Sequence, residues 1–433
     1  MTSSSSTTHH LFDRPELLDN QTRLILSADA KPKRLNRSAT RSAGIPGILE
    51  RSDSVASGLI IQETDDDDVD ENVELNNEDF YMSRKGSMLQ NDSNYDTDIE
   101  QEQEPTKDYS CQGLYLEQCR RHGVIPSTHF LRHLNNETLT IRYCGLKPIN
   151  IKVMVPSLKV NTRITKLDLR DNGLGSRGAV YISQLLQENE YIVELDLSNN
   201  DIGLQGCKAL CRVLRSNRTI RTLNMEGNRF NDDCAPHFAE VLTQNEYLTH
   251  INLNKNLFEN ESSGRLLGQS LGENQTIEEF YFGWNHLRSK ACGFFIKPLA
   301  SNARLSILDL SWNGCGLLAA KAIFELLRKN TTLEKLYLDH NQFNTECAAY
   351  IGKGLAKNET LKILTLQGNP LESSGCYAVL RPLLKQPTSQ LQVIDLRGII
   401  VNKDFVDLVT ELSPILPQLK IKLGREKENE LIE

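Results

Sequence analysis

The chain has 433 residues, a formal net charge of −8 and a hydrophobic share of 39%. No stretch approaches the roughly 20 apolar residues of a membrane span, the start Met1-Thr-Ser-Ser-Ser-Ser lacks the basic opening and apolar run of a secretory signal, and no dense basic stripe interleaves with aromatics as a nucleic-acid surface would. Those three features exclude membrane insertion, secretion and nucleic-acid binding as expectations, and they predict reduced cysteine thiols in the cytosol, with the nucleus as the alternative compartment.

Residues 1–108 form the first region. They are rich in Ser, Asp, Glu and Asn and poor in core-forming clusters. From Leu59 to Asp108 there are 17 acidic and three basic residues, a balance of −14, whereas Arg23 to Arg51 carries seven Lys/Arg against two acids. Such composition cannot bury enough apolar surface to offset ordering entropy, so a disordered tail is predicted. Its opposite charges leave two readings open, a weak salt-sensitive association with the rest of the chain or a solvated run with no docking site. Arg37-Ser38, Arg41-Ser42, Arg51-Ser52 and Arg84-Lys-Gly-Ser87 are short basic-then-serine candidates for phosphorylation.

Residues 109–134 read as an N-terminal helical cap. Tyr109–His122 predicts a short helix that Gly123 and Pro126 break, and Ser127 is placed to cap a second turn containing Phe130 and Leu131. From 135 to 423 a repeat takes over. Asn172, Asn200, Asn228, Asn256, Asn285, Asn313, Asn341 and Asn369 are spaced by 28 residues six times and by 29 once. A second column keeps step at Asn161, Asn189, Asn217, Asn245, Asn274, Asn302, Asn330 and Asn358.

Before each asparagine of the first column stand alternating apolar residues, such as Leu167/Leu169 or Phe280/Phe282, the mark of a short strand with one buried face. After it, small residues such as Gly206/Cys207 and then larger ones such as Ile323, Leu326 and Leu327 recur at helical spacing. The unit is strand, loop, helix, return, repeated about nine to ten times. The first asparagine column is expected to turn inward and satisfy backbone groups that lose their ladder partners. The second is expected to end each helix in the left-handed conformation that asparagine tolerates. Leu419-Lys-Ile421-Lys-Leu423 predicts the last edge strand, and 424–433 a charged tail.

Units such as Ile164-Thr-Lys-Leu167-Asp-Leu169-Arg-Asp-Asn172-Gly-Leu174 resemble leucine-rich repeats of the ribonuclease-inhibitor type. Upstream, Tyr115-Leu-Glu-Gln-Cys119 and Gly123-Val-Ile-Pro126-Ser-Thr-His-Phe130-Leu-Arg132 are similar to the leucine-rich repeat-containing protein 74 group. The resemblance implies an α/β horseshoe in which a parallel sheet lines the concave face and helices cover the convex one.

No active site is legible. No phosphate-binding glycine loop is present, since Gly352-Lys353-Gly354 falls inside a helical pattern. Cys207, Cys211 and Cys234 read as packed thiols, and Cys111, Cys119 and His122 fit no common zinc spacing. Neither catalysis nor a metal or cofactor is expected. The inner surface carries the functional expectation. Early strands place Asp168, Arg170, Asp196, Ser198, Asn224 and Glu226 there, and later ones place Tyr281, Trp284, Trp312 and Tyr337, with Asp309, Asp339 and His340 as a polar rim. The candidate partner-binding set is thus Tyr281, Trp284, Asp309, Trp312, Tyr337, Asp339 and His340. The bland alternative has each tryptophan fold over the sheet rim onto its neighbour. The function read from this is a monomeric intracellular scaffold that binds a protein partner on its concave face. The alternatives are an enzyme inhibitor, as the ribonuclease-inhibitor resemblance invites, or a regulator of a small GTPase.

Overall fold

The computed structural model describes residues 108–424 and 430–431. The two charged tail segments with their serine sites, like residues 425–429 and 432–433, lie outside the described residues. The sheet runs in sequence order through β1 (Thr138–Thr140), β2 (Lys166–Asp168), β3 (Glu194–Asp196), β4 (Thr222–Asn224), β5 (His250–Asn252), β6 (Glu279–Tyr281), β7 (Ile307–Asp309), β8 (Lys335–Tyr337), β9 (Ile363–Thr365), β10 (Val393–Asp395), β11 (Lys420–Leu423) and β12 (Glu430–Leu431). Strands β1 to β11 are all parallel, and β12 pairs antiparallel with β11. The predicted terminal strand at 419–423 is therefore not the sheet's edge, because Lys422 and Leu423 find partners in Leu431 and Glu430.

Behind the sheet lie α1 (Cys111–His122), α2 (Thr128–His133), α3 (Pro148–Lys159), α4 (Gly175–Glu188), α5 (Gly203–Leu214), α6 (Ala235–Gln244), α7 (Glu261–Glu273), α8 (Arg288–Ile296), α9 (Leu317–Lys329), α10 (Thr345–Leu355), α11 (Glu372–Leu380) and α12 (Lys403–Leu412). Alternation along each three-residue strand sends the middle residue inward. Leu167, Leu195, Leu223, Ile251, Phe280, Leu308, Leu336 and Leu364 stand side by side in register, each almost fully buried. Strands repeat about every 4.8 Å, whereas helices pack no closer than about 8–10 Å. The sheet therefore takes the inner path of the array and its solvent face becomes an inner wall.

The first coil closes one end of the core. Ser110 Oγ accepts the Gly113 amide and Ser127 Oγ accepts the Phe130 amide, so each of the first two helices has its own cap. Gly123 ends α1 at φ 64°. Tyr115 is buried against Phe130 with ring centroids 4.5 Å apart, accepts the Ser127 amide at 2.9 Å, and has its hydroxyl pushed up to about 12 by burial. Ser157 Oγ donates to Cys111 O, which ties this cap to α3.

The first asparagine column links consecutive coils. Asn200 Nδ2 donates to Leu169 O in the preceding coil and to Leu197 O in its own, and its Oδ1 accepts the Asn172 amide at 3.1 Å. The same pattern recurs at Asn228, Asn256 and Asn341. The second column works differently from its expectation. Asn189, Asn245, Asn274, Asn302 and Asn330 are extended rather than left-handed, with φ between −83° and −65°. Each instead clamps the return turn. Asn189 Nδ2 donates back to Leu158 O, while its Oδ1 accepts the Tyr191 and Ile192 amides, both at 2.9 Å.

Candidate functional site

One row of left-handed residues lies one place before the first asparagine column and its equivalents in the end coils. Tyr143, Asp171, Asn199, Gly227, Lys255, Trp284, Trp312, His340, Gly368 and Gly398 all have positive φ, from 52° to 80°. Here each chain leaves its strand and bends over the sheet rim. Among L-residues this conformation costs roughly 1–2 kcal/mol, so glycine is the inexpensive choice and bulky aromatics are not. In three consecutive coils the row nevertheless holds Trp284, Trp312 and His340.

Those three rings form one stack. The Trp284 and Trp312 centroids are 4.1 Å apart at 16°, and Trp312 and His340 are 4.1 Å apart at 19°. Gly368 supports the far end, since a Cβ there would stand 2.3 Å from His340 Nδ1. The tryptophans thus fold onto their neighbours, and they also stay accessible, at 47% and 40% exposure. Gly283 is tightly held beside the stack: its amide donates to Asn254 Oδ1 at 2.6 Å, and a Cβ would meet Ser311 O at 3.1 Å.

The floor of the wall lies beside this rim. Register places Tyr281 next to Asp309, Asp309 next to Tyr337 and Tyr337 next to Thr365. A second row on the same face runs His250, Glu279, Ile307, Lys335 and Ile363. Tyr281 and Tyr337 are half-buried. Tyr281 Oη donates to Glu279 Oε2 at 2.9 Å, and burial, followed by the nearby carboxylate, pushes its ionisation well above the usual tyrosine range. Asp309 and Asp339 do not form an exposed rim as expected. They are 4% and 5% exposed, and they accept the Ser311 amide at 2.9 Å and the Gln367 amide at 3.1 Å, because the bend at the strand end directs those amides into the sheet.

The early wall is different in kind. Arg142 Nε donates to Asp168 Oδ2 at 2.6 Å, Arg170 bridges Asp168 and Asp196, and Asn224 Nδ2 donates to Asp196 Oδ2 at 3.0 Å. Burial raises the Asp196 carboxyl above its ordinary range. Further along, Glu226 holds Asn252 and Lys255. These charges are consumed by one another. From β6 onward the wall turns aromatic and apolar, through Tyr281, Ile307, Tyr337 and Ile363.

Sequence reasoning placed the tyrosines and tryptophans together but missed Glu279, Ile307, Ile363 and Thr365. Their signal was positional, since Ile307 and Ile363 occupy the strand column that holds Lys166 and Glu194 in earlier coils.

One cysteine expectation is corrected. Cys292 and Cys315 are joined as a disulfide, because the loop and helix columns of neighbouring coils bring their Cα atoms to 5.7 Å. Cys207 and Cys211 are buried with sulfurs 3.8 Å apart, and Cys234 is buried with them. Among the described residues no group of three or more His, Cys, Asp or Glu is placed to hold a metal ion, and no helix is long and apolar enough to cross a membrane.

The chain matches the family model described as Leucine Rich repeat at residues 160–183, 188–211, 329–352 and 357–380. Among solved structures it is similar to Leiomodin-1 Actin-Binding Site 2 (ABS2), at 21% identity over 35% of this chain and 91% of that one, with a TM-score of 0.30. The likeness to that structure is too loose to carry an argument about binding. The four family matches fall on two separate stretches of one uninterrupted ladder of strands and asparagines, and those stretches carry leucine-rich repeats.

Proposed function

We propose that this protein is a non-enzymatic interaction scaffold that grips a protein partner on the inner wall between β5 and β9. The units are read as the ribonuclease-inhibitor type, because each full coil returns through a complete helix such as the 14-residue α4, and as nearest the leucine-rich repeat-containing protein 74 group on the segments Tyr115–Cys119 and Gly123–Arg132. The scaffold acts as a monomer in the cytosol. One observation carries the reading: two tryptophans sit in a strained backbone row where glycine costs less, and both keep two-fifths or more of their surface in solvent. A fold selected for stability alone gains nothing from that exposure, whereas aromatic rings at the rim of a half-apolar floor suit a binding anchor.

The test is affinity capture with the full chain and with a Trp284→Ala/Trp312→Ala double variant. Partners retained by the native chain are lost from the variant. Capture of the same partners at the same level by both chains would overturn the assignment.

A further inference from the structure

Four strands of the inner wall, β2, β3, β7 and β10, end in aspartate, at Asp168, Asp196, Asp309 and Asp395. Two places beyond each strand end the wall carries one more residue, in a column that runs from Arg142 to Arg397. Three of the four aspartates meet an arginine of that column. Arg142 Nε donates to Asp168 Oδ2 of the next coil at 2.6 Å, Arg170 stands 3.5 Å from Asp196 Oδ2 of the next coil, and Arg397 Nε donates to Asp395 Oδ1 of its own coil at 3.0 Å. Around Asp309 the two corresponding column positions hold Gly283 and Ser311.

The surroundings of Asp309 otherwise repeat those of an arginine-bearing coil. Asp196-Leu197-Ser198 recurs as Asp309-Leu310-Ser311. Asp196 Oδ1 accepts both the amide and the hydroxyl of Ser198, at 2.9 and 2.6 Å, while its Oδ2 faces Arg170. Asp309 Oδ1 accepts the Ser311 amide at 2.9 Å. Ser311 Oγ, however, has no hydrogen-bond partner among the described residues, although Ser311 is only 2% exposed. Such an unmatched hydroxyl is destabilising unless something arrives to pair with it. Oxygens also ring the place where a Gly283 Cβ would stand, with Ser311 O at 3.1 Å, Asn254 Oδ1 at 3.3 Å and the Asp309 carboxyl carbon at 3.4 Å. Acceptors so gathered select a donor. The wall from β6 to just beyond β8 carries Glu279, Asp309 and Asp339 against one lysine, Lys335, and Lys255 on the rim of the preceding coil is held by Glu226 at 2.8 Å.

We infer that this gap receives an arginine side chain of the protein partner, its guanidinium donating to the Asp309 carboxylate and to Ser311 Oγ. The inference rests on the proposed use of the wall and names the chemical group that the wall takes. Arginine suits the gap better than lysine, because its planar fork serves two acceptors at once and stacks on an indole. Trp284 offers that indole: among the described residues Trp312 alone stacks on it, and it is 47% exposed. Gly283 is itself buried, so Trp284 is the side chain that moves to admit the group.

The probes are acetylated, amidated Gly-Arg-Gly, Gly-Lys-Gly and Gly-citrulline-Gly, titrated into the full native chain. Both tryptophans of the chain belong to the stack, so indole fluorescence reads this rim directly. The arginine peptide gives a saturable change in emission. Citrulline has the same shape without the charge and binds about tenfold more weakly, the loss expected when a charge-assisted pair becomes neutral. Lysine falls between them. Asp309→Asn abolishes the preference for arginine over citrulline, since the carboxamide still accepts the Ser311 amide but carries no charge. Ser311→Ala weakens the arginine peptide several-fold without lowering the thermal midpoint, because it removes an unmatched hydroxyl. No emission change in the native chain, equal affinity for arginine and citrulline, or a preference that survives Asp309→Asn would overturn the inference. Should Asp309→Asn fail to fold, Ser311→Ala decides, and unchanged arginine affinity there is equally fatal. Partner capture reports separately. If capture ignores Trp284 and Trp312 while the arginine preference holds, the scaffold reading falls and the arginine site stands. If capture needs both tryptophans while arginine and citrulline act alike, the reverse is true.

Discussion

Trp312 sits at φ 59°, in a conformation that only glycine adopts without steric cost. Its indole is held by Trp284 on one face and His340 on the other. Backbone strain and stacking therefore oppose each other at one residue. Trp312→Ala keeps the strain and removes the stack, whereas Trp312→Gly removes both. The glycine variant is expected to be more stable than the alanine variant by about 1 kcal/mol, measured by urea denaturation, and an alanine variant of equal or greater stability would contradict the strained-row account. The composition of the patch was legible from the 28-residue phase alone, since Trp284, Trp312 and His340 occupy one column. Its conformation was not. Positive φ at a tryptophan runs against propensity, and the notion that asparagine tolerates that region pointed to the wrong column. The second-column asparagines are extended because their Oδ1 atoms accept two amides ahead, which holds the turn without a left-handed residue.

Elements are set by how closely neighbouring coils approach. In α7, Gly264, Gly268 and Gly272 recur every four residues and face the next coil. A Cβ on Gly268 would stand 2.4 Å from Phe295 O, and one on Gly264 would stand 2.5 Å from Ala291 O. Two effects compete when alanine replaces such a glycine. Helix propensity favours alanine by about 1 kcal/mol, while overpacking against backbone costs about 1–3 kcal/mol. The contact is with main-chain atoms that cannot swing aside, so overpacking wins. Gly268→Ala is expected to lower the urea midpoint, and an unchanged or raised midpoint would show that the helices can separate. The sequence displayed small residues in the buried column of several coils, and strand, loop and helix followed from periodicity. It did not display the pairing of β12 with β11, because two residues carry too little pattern to mark a strand. The Cys292–Cys315 link was equally hidden, since a separation of 23 residues reveals nothing of proximity until the coil pitch is known.

For the molecule as a whole, one face of a parallel sheet changes character along its length. Strands β2 to β4 bear charges that neutralise one another, through Asp168, Arg170 and Asp196 above all. Strands β6 to β9 bear tyrosines and isoleucines beside a stacked aromatic rim. Repetition explains why the fold was readable from two asparagine columns, since every coil restates the same solution. Function lies in the departures from repetition, at positions where hydrophobic phase sets no demand. The most direct test of the proposed inner-wall site is a lysine cross-linking map of the partner-bound full chain. Lys255 and Lys335 border the aromatic surface, whereas Lys321 and Lys353 stand on the helical side with Tyr350. Partner cross-links are expected at Lys255 and Lys335 and absent from Lys321 and Lys353. Cross-links concentrated at the helical pair would place the partner on the opposite surface and contradict the account.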